Sequence, residues 1–137
     1  MNPTQFISEE LIKEIRKTPL AHDWIRISYD YKLSEDFIRE FQDKVDWWGI
    51  CYNQNLSEKF IKEFKDKIYW EVASSIQTLS EDFIREFQDY ISWHYICANQ
   101  NLSKEFIKEF AGKILFNRIL INDNISKEIK DYCRMFL

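Results

Sequence analysis

The side chains best suited to hold a metal or to act as nucleophile and base are two histidines, His22 and His94, and three cysteines, Cys51, Cys97 and Cys133. No two of the cysteines and no two of the histidines have the spacing of a zinc-binding motif. Serines recur at Ser34, Ser57, Ser80 and Ser103. Each sits where a helix should open, and N-capping accounts for all four. With two glycines in the whole chain there is no glycine-rich loop to cradle a phosphate. The carboxylates fall mostly on one recurring outer helix face, where solvation is the default. These residues predict no catalytic centre, no cofactor and no metal site, and so a protein that is not an enzyme.

The elements that carry these residues come from one stretch, LSEDFIREFQDKVDWWGICYNQN, at 33–55. It returns at 56–78, at 79–101 and, more divergently, at 102–124, with a period of 23 residues and no gap. Within it, Ser34 is a candidate N-cap and Glu35 and Asp36 place negative charge at the positive helix end. Leu33 and Ile38 have the spacing of a hydrophobic staple. Phe37, Ile38, Phe41 and Val45 share one helical face, while Glu35, Arg39 and Asp43 line the other. A first helix of about three turns ending near Lys44 or Val45 is expected. A second, shorter helix opens at Asp46, or at the equivalent Asp23 and Ser92, and presents Trp47, Ile50 and Cys51 on one face. Its brevity allows some 3-10 character. Asn53, Asn99 and Asn122 stand where a left-handed C-cap is expected.

Residues 7–32 are a degenerate first repeat in which Pro19 breaks the helix, and 125–137 supply a C-terminal capping helix. Atypical terminal repeats are normal, so an array complete as given is expected. One repeat buries little alone, and stacking makes a continuous core. The fold class predicted is all-α: a short right-handed α-solenoid of helix–turn–helix repeats forming one domain over 1–137. Trp70 is expected to be buried between neighbouring repeats.

Comparing copies separates what every repeat needs from what is free to vary. On the second helix the pairs Trp48 and Tyr52, Glu71 and Ser75, His94 and Ala98, and Asn117 and Ile121 vary, with Gly49, Val72, Tyr95 and Arg118 beside them. Pairs four apart share a face. Either exposed positions have drifted after duplication, or these residues form a recognition stripe. Trp48, Tyr52 and Tyr95 favour the stripe, because Trp, Tyr and Arg dominate binding hot spots. The candidate partner-binding residues are Trp48, Tyr52, Glu71, His94, Tyr95, Asn117 and Arg118.

A net charge of −4 with interleaved signs gives no nucleic-acid footprint. No apolar run approaches the roughly 18 residues of a membrane span, and the N-terminus lacks the layout of a signal peptide. Cys51 and Cys97, two repeats apart, are expected to be too distant for a disulfide. Buried thiols in a reducing, intracellular compartment follow as the expectation.

The motif LSEDFIREFQDKVDWW resembles the short tandem repeats of uncharacterised proteins from giant and other large DNA viruses, closely over 33–124 and loosely in the flanks. Ile76 and Thr78 depart from it where other copies carry asparagines. The resemblance implies a viral, intracellular protein acting on host proteins or within the particle, and it brings no catalytic residues. The function expected is a scaffold binding a host or viral protein through the variable face. The alternatives are an assembly component of a particle, for which self-association stays open, and an inhibitor that occludes a host defence factor.

Overall fold

The computed structural model describes residues 3–137. Among these residues there are eleven α-helices and no strand; pairing of the strand type is limited to a lone parallel bridge between Phe6 and Lys32. The chain forms two compact units, Met1–Tyr69 and Trp70–Leu137, and the division falls between the two helices of the 56–78 repeat. Within each unit the 23-residue repeats stack in solenoid fashion.

First helices are α3 (Glu35–Glu40) and α5 (Glu58–Glu63) in the first unit, and α7 (Glu81–Glu86) and α9 (Lys104–Glu109) in the second. Each starts as the sequence predicts. The serine hydroxyl accepts the N–H of the residue three along, from Phe37, Phe60, Phe83 and Phe106 at 3.0–3.1 Å. Each is also shorter than predicted. Phe41 already leaves helical geometry at ψ 28°, and Lys44 and Val45 both donate to its carbonyl, at 2.9 and 3.1 Å. That turn tucks Val45 back into the core.

Second helices are α2 (Trp24–Asp30), α4 (Trp47–Asn53), α6 (Trp70–Ile76), α8 (Trp93–Asn99) and α10 (Phe116–Leu120), all α rather than 3-10. The 3-10 turn lies instead at Pro19–Ala21, opened by Pro19. Asp23 and Asp46 cap their helices as expected, but Ser92 makes no side-chain cap bond. The left-handed asparagine caps are not formed. No described residue has a positive φ, and the chain leaves α4 through Gln54 in extended geometry, φ −92° and ψ 149°. At Asn99 the physical reason is that Asn122 of the next repeat donates to the Cys97 and Gln100 carbonyls and satisfies the turn from the side, so no left-handed residue is needed.

The remaining helices are α1 (Glu9–Lys17) at the start and α11 (Lys127–Arg134) at the end. In the first unit α2 packs on α4, and in the second α6, α8, α10 and α11 pack in that order. In each unit the core is built of Phe and Ile. Phe60, Phe83, Phe106, Ile38, Ile61, Ile84 and Ile107 are all but inaccessible. Each tryptophan that opens a second helix lies over two phenylalanines of the next first helix. Trp47 sits 6.1 and 5.1 Å from Phe60 and Phe64, and Trp70 sits 6.2 and 5.5 Å from Phe83 and Phe87. Trp70 is nevertheless half-buried, not enclosed. An indole needs an acceptor for its N–H, which keeps its edge near the surface. Trp47 shows the arrangement, donating to the Gln42 carbonyl at 2.9 Å.

Polar side chains fix the stacking. Gln54 Nε2 donates to the carbonyls of Ser28 and Tyr31, at 3.0 and 2.7 Å, and its Oε1 accepts the Leu33 N–H at 2.9 Å. Gln100 repeats this on Ser74, Gln77 and Leu79, and Asn122 Nδ2 takes the carbonyls of Cys97 and Gln100. Ser28 and Ser74 hydroxyls accept the N–H of Asp46 and Ser92, the Cys97 sulfur accepts that of Leu115, and Cys51 meets the Tyr69 amide in the same way. The cysteines are therefore acceptors between repeats as well as apolar filler. Arg16, Arg39 and Arg85 bridge to Glu40, Glu63 and Glu109 one repeat on, so this outer face is cross-linked rather than simply solvated.

Candidate interaction surface

The variable face is built by second helices whose opposite side is committed to the core. In α4, Ile50 and Cys51 are inaccessible, which turns Trp48 and Tyr52 outward to 40% and 37% exposure. One turn apart, their rings stack at 5.0 Å with 14° between planes. Tyr29 of the packed helix α2 joins the stack, 6.1 Å from Trp48 and tilted by 24°. Gly49 makes the third ring possible. A Cβ there would lie 2.6 Å from Cε2 of Tyr29, a distance no real contact tolerates. Loss of solvent around Tyr29, then the nearby Asp46 carboxylate, raises its phenol above the ordinary value. The result is a three-ring ledge on the first unit.

Tyr29 was not among the residues the sequence singles out, although it stands at the register position of Tyr52. The degenerate first repeat concealed it.

In the second unit His94 and Tyr95 meet edge to face at 5.0 Å, with Tyr95 36% exposed. Glu71, His94 and Asn117 hold the same register position on the successively packed helices α6, α8 and α10. Glu71 and Asn117 are exposed, Arg118 is half-buried, and among the described residues no hydrogen bond joins them. The structure thus assembles Trp48 with Tyr52 and His94 with Tyr95, and leaves Glu71, Asn117 and Arg118 as separate positions.

Groups suited to bond chemistry are scattered. His22 approaches the Thr18 hydroxyl at 3.4 Å. All three cysteines are buried thiols, and burial pushes Cys51 up to about 11. Among the described residues no three His, Cys, Asp or Glu side chains gather as a metal would require, and no helix is long and apolar enough to cross a membrane.

Fold and surface together define a helical tandem-repeat protein with an aromatic ledge. No family model matches the chain, and no curated protein or solved structure matches it either.

Proposed function

We propose that this chain is a non-enzymatic interaction scaffold that binds a protein partner through the variable face of its second helices. The observation that carries the reading is the Tyr29, Trp48 and Tyr52 ledge. Stacked rings lose little conformational freedom on binding and offer broad apolar area, which is the chemistry of an interface anchor. Gly49 is a helix-weakening residue, and the space left by its missing Cβ is where the Tyr29 ring sits. On the resemblance of the repeats, the proposed setting is an intracellular viral protein with a host or viral partner.

Affinity capture from host lysate with the full chain, compared against Trp48→Ala, tests this. A partner held by the native chain and lost by a folded Trp48→Ala supports the ledge. Equal recovery by both chains overturns it, and self-association with no foreign partner selects an assembly role instead.

A further inference from the structure

The last repeats depart from the others at two positions, and both departures fall on one small surface of the second unit. Glu35, Glu58 and Glu81 hold one register position, and Lys104 takes it in α9. Glu40, Glu63, Glu86 and Glu109 hold another, and Tyr132 takes it in α11. The first change removes an acceptor. Glu35 takes the N–H and hydroxyl of Ser57, at 2.7 and 3.0 Å, and Glu81 takes those of Ser103, at 2.6 and 3.0 Å. Ser126 opens α11 in the same register, but a lysine ammonium accepts nothing. The Ser126 hydroxyl accepts the Ile129 N–H at 3.4 Å. Among the described residues, neither its proton nor the Ser126 main-chain N–H meets an acceptor.

The second change leaves a cation without its carboxylate. Arg39 and Arg85 reach Glu63 and Glu109 at 2.9 and 3.0 Å. Lys108 stands in their register and meets the Tyr132 ring instead, with its ammonium 5.5 Å from the ring centre. Lys104 lies over the same ring at 4.6 Å. A ring attracts a cation without cancelling its charge, and two ammoniums four residues apart on one helix repel. Lys127 and Arg134 are both engaged by Asp131, whereas among the described residues no carboxylate bridges Lys104 or Lys108. Of the neighbouring carboxylates, Glu109 is held by Arg85, and Glu105 and Glu128 make no ion pair among the described residues. Lys104 is half-buried and Lys108 and Ser126 are exposed, so an arriving group can reach all three.

We infer that this surface binds a carboxylate supplied from outside the chain. The group takes the place that Glu35 and Glu81 fill elsewhere. Its oxygens accept the Ser126 N–H and hydroxyl, and the positive end of α11 favours its charge. Lys104 and Lys108, on long flexible stems, supply the balancing cations. Glutamate already does this chemistry twice within the molecule, on Ser57 and Ser103. An acidic side chain of a polypeptide and a small free carboxylate both carry the group. The site lies on first helices and is independent of the aromatic ledge.

The test is a nuclear magnetic resonance titration of the labelled full chain with an alanyl-glutamyl-alanine peptide capped at both ends, and separately with acetate. The expected result is a saturable shift of the Ser126 amide and the Tyr132 ring, weakened several-fold in about 0.5 M salt. A response to acetate marks a site for carboxylates of any source, and a response to the peptide alone marks one for acidic segments. The same peptide with glutamine in place of glutamate should leave Ser126 unmoved. Lys104→Glu restores the residue of the other copies, so it should fold, give the Ser126 N–H an internal acceptor and abolish the response. Lys108→Gln should weaken it several-fold. Lys13→Gln, an equal loss of charge on α1, should leave it unchanged. A Ser126 amide unmoved by both probes overturns the inference. So does an equal shift with the glutamine peptide, or a full response in Lys104→Glu.

Discussion

Gln100 accepts the main-chain N–H of Leu79 at 3.1 Å while its Nε2 donates to the Ser74 and Gln77 carbonyls at 2.8 and 2.7 Å. One side chain thereby satisfies three buried main-chain groups of the preceding repeat. Gln100→Leu leaves all three unmatched, and at about 1–3 kcal/mol each the expected loss is about 3 kcal/mol or more. Urea denaturation measures it; a change under about 1 kcal/mol would mean that water reaches these groups.

Trp70 stacks on Phe83, Phe87 and Tyr90 with its edge at the surface. Trp70→Ala should therefore cost about 3 kcal/mol, the low end for a large aromatic deletion. Trp70→Phe should recover much of that loss. Equal destabilisation by both would assign the effect to the indole N–H instead of the ring.

Trp48→Ala and Tyr95→Ala should each weaken binding of the partner by about 2 kcal/mol or more. Because Trp48 stacks on two rings, its removal should also cost about 1 kcal/mol of stability. Arg39→Ala, on the outer face, should leave binding unchanged and reduce stability slightly, an effect that high salt should mask. Calorimetric affinity beside thermal denaturation separates these outcomes. Loss of binding in Arg39→Ala alone would move the interface to the first helices.

Burial holds the Cys51 thiol neutral up to about 11. Its folded pKa is raised, so its contribution is fully present below the ordinary thiol pKa and is lost as pH rises through the folded value. Stability should fall between about pH 9 and pH 11, with at most about 3 kcal/mol from Cys51. Cys51→Ser, the residue found in this register at Ser28 and Ser74, should remove its share of that slope. Denaturation midpoints at pH 8 and pH 10.5 provide the measurement. An unchanged slope would place the effect on Cys97 and Cys133, whose thiols are also raised.

Local chemistry was legible in the residues. Ser34 and its copies cap through the hydroxyl, Asp46 caps α4, and Phe37 and Ile38 face inward, because each of these depends on neighbours a few positions away. What resisted reading depends on partners far along the chain. Asn99 reads as a turn residue when its turn is taken alone, without the Asn122 amide that the next repeat brings to the Cys97 and Gln100 carbonyls. Yet Gln54, Gln77 and Gln100 recur at the repeat period, as do Ser28, Cys51, Ser74 and Cys97, and that recurrence was the available signal. A polar residue kept at an inward position by successive copies has a bond to make with its neighbour. The ledge was half visible, since Trp48 and Tyr52 stood out while Tyr29 lay in the repeat least like the others.

The carboxylate of Glu35 accepts both the main-chain N–H and the hydroxyl of Ser57, at 2.7 and 3.0 Å, and Glu81 does the same for Ser103. A helix usually completes such a start with its own Glu or Gln three residues in, but Phe60 and Phe106 occupy those places. Each of these helices borrows its opening acceptor from the repeat made before it. The nucleus is the costly step in forming so short a helix, and a ribosome delivers the acceptor ahead of the donor. Growth therefore has a direction. A repeat leaving the exit tunnel finds this acceptor already laid by the one in front, whereas the same 23 residues released alone as a peptide would keep only their own serine cap.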